Sequence, residues 1–199
     1  LPDCLASLTW CDDVHVLDSG SQDETVKIAE GAGATVLVNS FQSFGQQRNW
    51  ALDNCPVKHP WVLFLDADER VTPAMLAEMT LKTATAPESV AGYYCCWALM
   101  LNERWLKRAD NFPKWQFRLL RQGRARFTDF GHGQKEGEVE GTLGGRAGQA
   151  KERRRVQATR AVELQSGAVG ELVVKVHDVV NIVSEGTARL GSGRAPHVL

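Results

Sequence analysis

Apolar positions in the first 100 residues switch repeatedly between helical and strand spacing, which predicts an α/β domain with a mainly parallel sheet. Cys4 to Leu8 reads as the end of a helix. Val14, Val16 and Leu17 form a short apolar strand running into Asp18-Ser19-Gly20, and Ser21 with Glu24 predicts a capping box that opens a helix through Glu30. Gly31 and Gly33 close it. Thr35 to Val38 is the next strand and Gln46 to Asn54 the next helix. Trp61 to Leu65 reads as a buried strand leading into Asp66-Ala67-Asp68-Glu69, after which Thr72 caps a helix with Pro73 in its first turn. Val90 to Leu101 is a long strand-type run, and Trp115 to Leu120 and Ala125 to Thr128 are shorter strands that would extend the sheet.

Past Leu143 the pattern fades. All the aromatic residues lie at or before Phe130, and 12 of the 18 glycines lie after it. Only Val169 to Val183 retains the makings of a strand or short helix, so residues 145–199 are expected to form a divergent or poorly ordered tail on a single domain spanning 1–144. At 199 residues and 43% hydrophobic content, one globular domain is the natural size. No run reaches the roughly 18 apolar residues of a spanning helix, and no signal peptide opens the chain, which predicts a cytoplasmic location. Cys4, Cys11, Cys55, Cys95 and Cys96 contain no CxxC pair and read as reduced core residues.

The net charge of −1 conceals an asymmetry: residues 1–100 carry 5 basic and 13 acidic side chains, residues 101–199 carry 18 and 11. Between Arg104 and Arg126, eight basic residues are opposed by Asp110 alone. Such a segment suits a phosphate-bearing or anionic partner, and equally a solvated face.

Candidate chemistry gathers where strands end, the place at which ligands collect in open α/β sheets. Asp18-Ser19-Gly20-Ser21 offers a carboxylate, a hydroxyl and flexible backbone for a base or ribose, or simply a capped helix. Asp66-Ala67-Asp68 follows five apolar residues, where paired carboxylates call for a compensating cation. Mg²⁺ or Mn²⁺ shared with diphosphate oxygens answers that need, and a loop cap for the Thr72 helix is the plainer reading. Arg48, near the start of its helix beside Gly45, either forks onto a diphosphate or lies exposed on the surface.

In order and spacing, Cys4-Leu5-Ala6-Ser7-Leu8, VHVLDSGSQDETVKIAEGAGA, FGQQRNWAL, WVLFLDADERV, NFPKWQFRLLRQGRARF and GHGQKEG resemble the family 2 glycosyltransferases, in particular the lipopolysaccharide-core β-1,4-glucosyltransferase branch. The resemblance implies a GT-A (Rossmann-like) fold. It implies an inverting transfer of a sugar, glucose from UDP-glucose, to a lipopolysaccharide-core or related glycolipid or glycan acceptor, with no nucleic-acid partner. Asp18, Ser19 and Gly20 would contact the nucleotide and Arg48 would lie near it. Asp66, Ala67 and Asp68 would form the DxD segment, its two carboxylates holding ribose and a metal-diphosphate. Gln116 and Arg118 resemble an acceptor-side strand motif that helps hold phosphate. Asp110, His132 and Glu136 all stand where the family places acceptor-side or catalytic groups, and the general base is left open among them. A peripheral position on the anionic inner face of the cytoplasmic membrane goes with such acceptors.

Against the family pattern, the chain starts past the first apolar strand and its Lys-Asn-Glu turn, and Gly145 onward does not match. The expectation is a sheet lacking its first strand, with an unpaired neighbour prone to aggregate. An inactive glycosyltransferase fragment is therefore an alternative. An aspartate-dependent phosphatase, whose nucleophile also follows a hydrophobic strand, wants Thr or Val where Arg70 stands and leaves the Asp18 segment unexplained.

Overall fold

The structure, a computed structural model, describes residues 1–102, 104–106, 112–131, 133–144, 156–162 and 180–185. Helix α1 (Pro2–Ala6) is followed by β1 (Val14–Asp18), α2 (Thr25–Gly31), β2 (Thr35–Val38), α3 (Phe44–Asn54), β3 (Trp61–Asp66), β4 (Glu69–Arg70) and α4 (Pro73–Thr85). Strands β5 (Val90–Leu101), β6 (Arg104–Trp105), β7 (Trp115–Arg121), β8 (Ala125–Phe130), β9 (Gly133–Val139), β10 (Thr142–Gly144), β11 (Val156–Val162) and β12 (Val180–Glu185) complete the order.

Side-chain caps set two of the helix starts. Thr72 accepts from the Met75 N–H at 3.1 Å and Pro73 occupies the first turn, as the sequence predicts. Ser43 accepts from the Gln46 N–H at 3.3 Å, so α3 begins two residues before Gln46. The expected Ser21–Glu24 capping box does not form. Ser21 donates instead to Asp18, and α2 starts after Glu24, which makes no side-chain cap bond. Asp23 substitutes by accepting from the Thr25 N–H at 3.0 Å.

The core is organised around β3. Trp61, Leu63 and Leu65 face one side, packing with Cys4 and Leu8 and with Met75 and Met79 of α4. Val62 and Phe64 face the other, against Ala51 and Leu52 of α3 and Phe127 of β8. The period-two alternation of a strand buried on both faces explains the unbroken apolar run, each large side chain stabilising by about 1.5–3 kcal/mol on burial. Cys4, Cys55, Cys95 and Cys96 are buried free thiols and Cys11 is half-buried. Burial and the nearby Asp13 push Cys55 up to about 12.

The large sheet runs β2-β1-β12-β3-β7-β5-β11-β4, with β6 and β10 also paired to β5. The expectation of a mainly parallel sheet needs correction. Parallel pairs are β1–β2, β5–β10 and β5–β11, whereas β1–β12, β3–β12, β3–β7, β5–β7, β5–β6 and β4–β11 are antiparallel. Direction follows from the connections, which adjacent apolar runs do not encode. The expected vacancy beside β1 is likewise corrected: β12 lies antiparallel between β1 and β3, from Val14↔Val183 to Trp61↔Glu185. Unpaired backbone groups in a buried sheet are costly, and VNIVSE is rich enough in β-branched residues to satisfy them. Residues 156–162 and 180–185 of the expected tail are thus sheet strands, while 163–179 lie outside the described residues. Nor does β8 extend the main sheet; it pairs with β9 in a separate two-stranded sheet that packs on α3.

Strand register brings the start of β7 to the carboxyl end of β3: Trp61↔Arg121 and Leu63↔Leu119 place the two strands antiparallel. At the other end of this pairing, beside Leu120, Gly92 of β5 leaves room for its neighbours: an added Cβ would lie 2.5 Å from Phe117 Cε2 and 2.6 Å from the Leu119 carbonyl oxygen. Gly92→Ala is expected to destabilise the chain by about 1–3 kcal/mol through overpacking against backbone. An unchanged urea midpoint would show that the sheet relaxes around it.

Candidate functional site

The chain leaves β3 at Asp66, turns through Ala67 and Asp68, and comes back at Glu69, whose Oε2 accepts from the Asp66 N–H at 2.9 Å. Above this turn the Asp66 carboxylate receives three charged hydrogen bonds. Arg118 Nη1 donates to Oδ1 at 2.9 Å and Nη2 to Oδ2 at 2.8 Å, a two-point fork. Arg48 Nη2 donates to Oδ1 at 3.2 Å from the α3 layer. Arg118 Nη2 reaches Gln116 Oε1 at 3.0 Å and Glu69 Oε1 at 3.4 Å as well. Arg48 and Arg118 are each 2% exposed, against 38% for the Asp66 side chain.

Aromatic rings make these buried cations tolerable. Arg48 lies 5.3 Å from the ring centroids of both Phe64 and Phe127, and Arg118 lies 4.6 Å from that of Trp97. Gln134 of β9 adds a neutral partner: with its carboxamide oriented by the surrounding donors and acceptors, its oxygen accepts from Arg48 Nη1 at 2.6 Å and its nitrogen donates to the Phe44 carbonyl at 3.1 Å. An unbroken chain therefore runs from Gln134 through Arg48, Asp66 and Arg118 to Gln116, uniting β9, α3, β3 and β7.

The predicted residues fall into distinct places. Arg48, Asp66, Gln116 and Arg118 meet in this chain, and the surface reading of Arg48 is overturned by its burial. Asp68 lies on the same turn with an exposed side chain. Asp18, 2% exposed, shapes the turn after β1: its Oδ2 accepts from the Gly20 and Ser21 N–H groups at 2.9 Å each, and its Oδ1 from the Ser21 hydroxyl at 2.5 Å. Gly20, at φ 95°, supplies the left-handed conformation this turn needs. Ser19 Oγ accepts from Gln47 Nε2 at 3.1 Å, joining the β1 turn to α3. Glu136 of β9 accepts from the Tyr94 hydroxyl at 2.5 Å. Asp110 and His132 lie outside the described residues. A separate cavity of about 340 Å³, lined by Leu5, Leu8, Cys11, Val14 and Gly33 among others, opens at the opposite end of β1.

Sequence reasoning passed over Glu69, Gln134, Gln47 and Tyr94. Glu69 carried a signal, an acidic residue that completes the turn after a buried strand; the others are ordinary polar residues until the fold brings them to an arginine or a carboxylate.

Burial first, and then the neighbouring Asp66 carboxylate, pushes Glu69 above the ordinary glutamate value of 4.5, against the pull of the Asp66 N–H and Arg48. Burial also lowers Arg48, opposed by Asp66 and Glu69, yet a guanidinium starting from 12.5 stays charged. A carboxyl raised on folding contributes stability that is complete below its ordinary value and lost as pH rises through the raised one. Urea unfolding between about pH 4 and pH 8 should therefore show Glu69→Gln gaining stability relative to the wild type as pH rises, and a pH-independent difference would refute the shift. Arg118→Ala strips two buried or half-buried carboxylates of their partner and is expected to lose about 3–5 kcal/mol, a denaturant midpoint shift that a mere surface contact would not produce.

Residues 1–134 match Glycosyl transferase family 2. Over 147 residues the chain is 28% identical to the lipopolysaccharide core biosynthesis glycosyltransferase LpsC of Rhizobium meliloti (strain 1021), a match covering 71% of this chain and 53% of that protein. It is 40% identical over 68 residues to an uncharacterized glycosyltransferase of Rickettsia bellii (strain RML369-C), covering 34% of this chain and 22% of that protein. It is 42% identical over 73 residues to the TPR repeat-containing protein Synpcc7942_0270 of Synechococcus elongatus (strain ATCC 33912 / PCC 7942 / FACHB-805), covering 36% and 18%. The chain spans about half, or less, of the length of these curated relatives. The Asp66 turn and both of its buried arginines fall within the family match, and the chain belongs to glycosyl transferase family 2.

Proposed function

We propose that this chain binds a nucleotide-sugar donor at the carboxyl ends of β1 and β3 and transfers its sugar, glucose from UDP-glucose, to a lipopolysaccharide-core or related glycan acceptor with inversion. The observation that carries the reading is the Asp66 carboxylate, locked by Arg48 and Arg118, with Asp68 beside it on the exposed side of the turn. Membership of the family and the similarity to a lipopolysaccharide core glycosyltransferase support the donor and acceptor classes.

Among the described residues no cluster of three or more His, Cys, Asp or Glu forms a metal cage. That donor set still fits Mg²⁺ or Mn²⁺, because such hard cations are held by one or two carboxylates with phosphate oxygens and water filling the remaining positions. Asp68 would hold the ion, and Asp66, its oxygens engaged by two guanidinium groups, would orient the turn and the ribose. When bound, the metal neutralises charge developing on the departing diphosphate. The Asp18 turn, with Ser19 and Gly20, presents backbone and hydroxyl groups to the base and sugar of the nucleotide. Glu136, held by Tyr94, serves as the general base: it takes the proton of the acceptor hydroxyl, whose oxygen attacks the anomeric carbon as the bond to the diphosphate breaks. Asp110, where other family members carry a catalytic carboxylate, and His132, on the acceptor side, lie outside the described residues and remain the other candidates for the base.

A phosphatase would need Asp66 as its nucleophile, and both of its oxygens accept from Arg118, which argues against that use. No helix among the described residues is long and apolar enough to cross a membrane. The reading places the chain at the inner membrane face through its surface, and exposed Phe130 with Lys135 stacked 4.6 Å from its ring, together with exposed Trp105, suits a lipid interface.

Thermal unfolding with UDP-glucose and Mn²⁺ tests the donor site: a ligand at about 100 times its Kd should stabilise the wild type by about 2.7 kcal/mol. Asp68→Ala should abolish the metal-dependent part of this shift while keeping a cooperative transition in the absence of ligand. An unmoved wild-type transition would sink the donor assignment, and a shift that survives Asp68→Ala would remove Asp68 from the metal site. Donor stabilisation without transfer to any glycan acceptor would instead favour the inactive-fragment reading.

A further inference from the structure

Besides Arg118 of β7, Asp66 is held by Arg48 of α3, and Arg48 in turn meets Gln134 of the β8–β9 hairpin, which also carries Glu136. A two-stranded sheet is marginal by itself, so what aligns the hairpin with α3 decides where Gln134 and Glu136 stand. The two are joined at three successive turns of the helix. Asp129 Oδ1 accepts from the Gly45 N–H at 2.8 Å and its Oδ2 accepts from the Ser43 hydroxyl at 2.6 Å. One turn on, Asn49 donates to the Phe127 carbonyl and accepts from the Phe127 N–H, both at 2.9 Å. A further turn on, Asp53 pairs with Arg126 at 2.6 Å.

Positions 45, 49 and 53 share one helix face, about 6 Å apart along the axis, and the two strand residues from Asp129 to Phe127 span about 6.6 Å, so the pitches of α3 and β8 agree over this first step, while Arg126, one residue further on, reaches Asp53 with its long side chain. Gly45 sets the closest approach: a Cβ there would stand 2.9 Å from Asp129 Oδ1 and 3.1 Å from the Asp129 backbone nitrogen. The Asp129 charge also faces the amino-terminal, positive end of an 11-residue helix.

We propose that Asp129 is a positioning residue, the clamp that holds the β8–β9 hairpin on the first turn of α3 and thereby sets Gln134 against Arg48 and Glu136 against Tyr94. As a role in transfer this rests on the proposed function; as a clamp it stands apart from it. In the proposed function the donor contacts lie on β1 and the Asp66 turn, so loosening the hairpin acts on the acceptor step.

The test uses the full chain as wild type, Asp129→Ala, Asp129→Asn and Gly45→Ala. Asparagine keeps both contacts, its amide nitrogen donating to Ser43 Oγ and its oxygen accepting from the Gly45 N–H, so it is the rescue variant. Asp129→Ala and Gly45→Ala should lower kcat or raise the acceptor KM by roughly ten- to hundredfold, with UDP-glucose affinity within about twofold of wild type, and Asp129→Asn should recover most of the loss. Hydrogen exchange without substrate should show faster exchange of the hairpin amides in Asp129→Ala, restored in Asp129→Asn. Unchanged exchange in Asp129→Ala overturns the clamp. Faster exchange with unaltered acceptor kinetics, an equal fall in donor affinity, or an Asp129→Asn variant as impaired as Asp129→Ala overturns the positioning role. A wild-type chain that transfers no sugar counts against the proposed function, and the exchange measurement then decides the clamp by itself.

Discussion

A carboxylate shared by two buried guanidinium groups holds the end of β3. Arg118 approaches Asp66 from the neighbouring strand and Arg48 from the helical layer beneath, 52 and 18 residues away in the chain. Neither arginine can be buried alone, because an uncompensated charge in a low-dielectric interior is far costlier than an exposed one. Asp66 and Glu69 balance them, and Phe64, Phe127 and Trp97 exclude water around the set, which strengthens each interaction and restricts each side chain. The β3, β7 and α3 layers are consequently tied together at one point, at the end of the strand where a ligand would bind.

That arrangement divides the work of the DADE turn. Asp66 organises, Asp68 remains on the solvent side, and Glu69 closes the turn from below by accepting the Asp66 N–H. In the proposed reaction the division has a physical advantage. A carboxylate already oriented by three charged hydrogen bonds needs no reorganisation when the donor arrives, while the neighbouring, exposed one stays accessible to a hard cation. The β1 turn follows the same logic, with Asp18 spent on shaping the backbone and Ser19 tied to Gln47, so that α3 connects both strand ends to the hairpin.

Much of the fold was legible in the sequence wherever local chemistry decides. The five-residue apolar run of β3 announces a strand buried on both faces, and Thr72 followed by Pro73 announces α4, because the cap and the first turn use only neighbours in the chain. The same local rule failed at Ser21, where Asp18 accepts the backbone N–H that the Glu24 side chain would take in a capping box. The family motifs led to Arg48, Asp66, Gln116 and Arg118 as residue types at given spacings, without indicating that they bond to one another.

The sequence by itself determined the α/β alternation, the strand ends that bear carboxylates, and membership of a glycosyltransferase family, since these depend on residue type and short-range order. Tertiary structure alone decided that β7 runs antiparallel to β3, that β12 fills the place beside β1, and that Arg48 is buried against Phe127, 79 residues further along the chain. The reason is physical. Strand direction, burial and the pairing of charges are properties of the surroundings a residue acquires on packing, and side chains distant in sequence supply those surroundings.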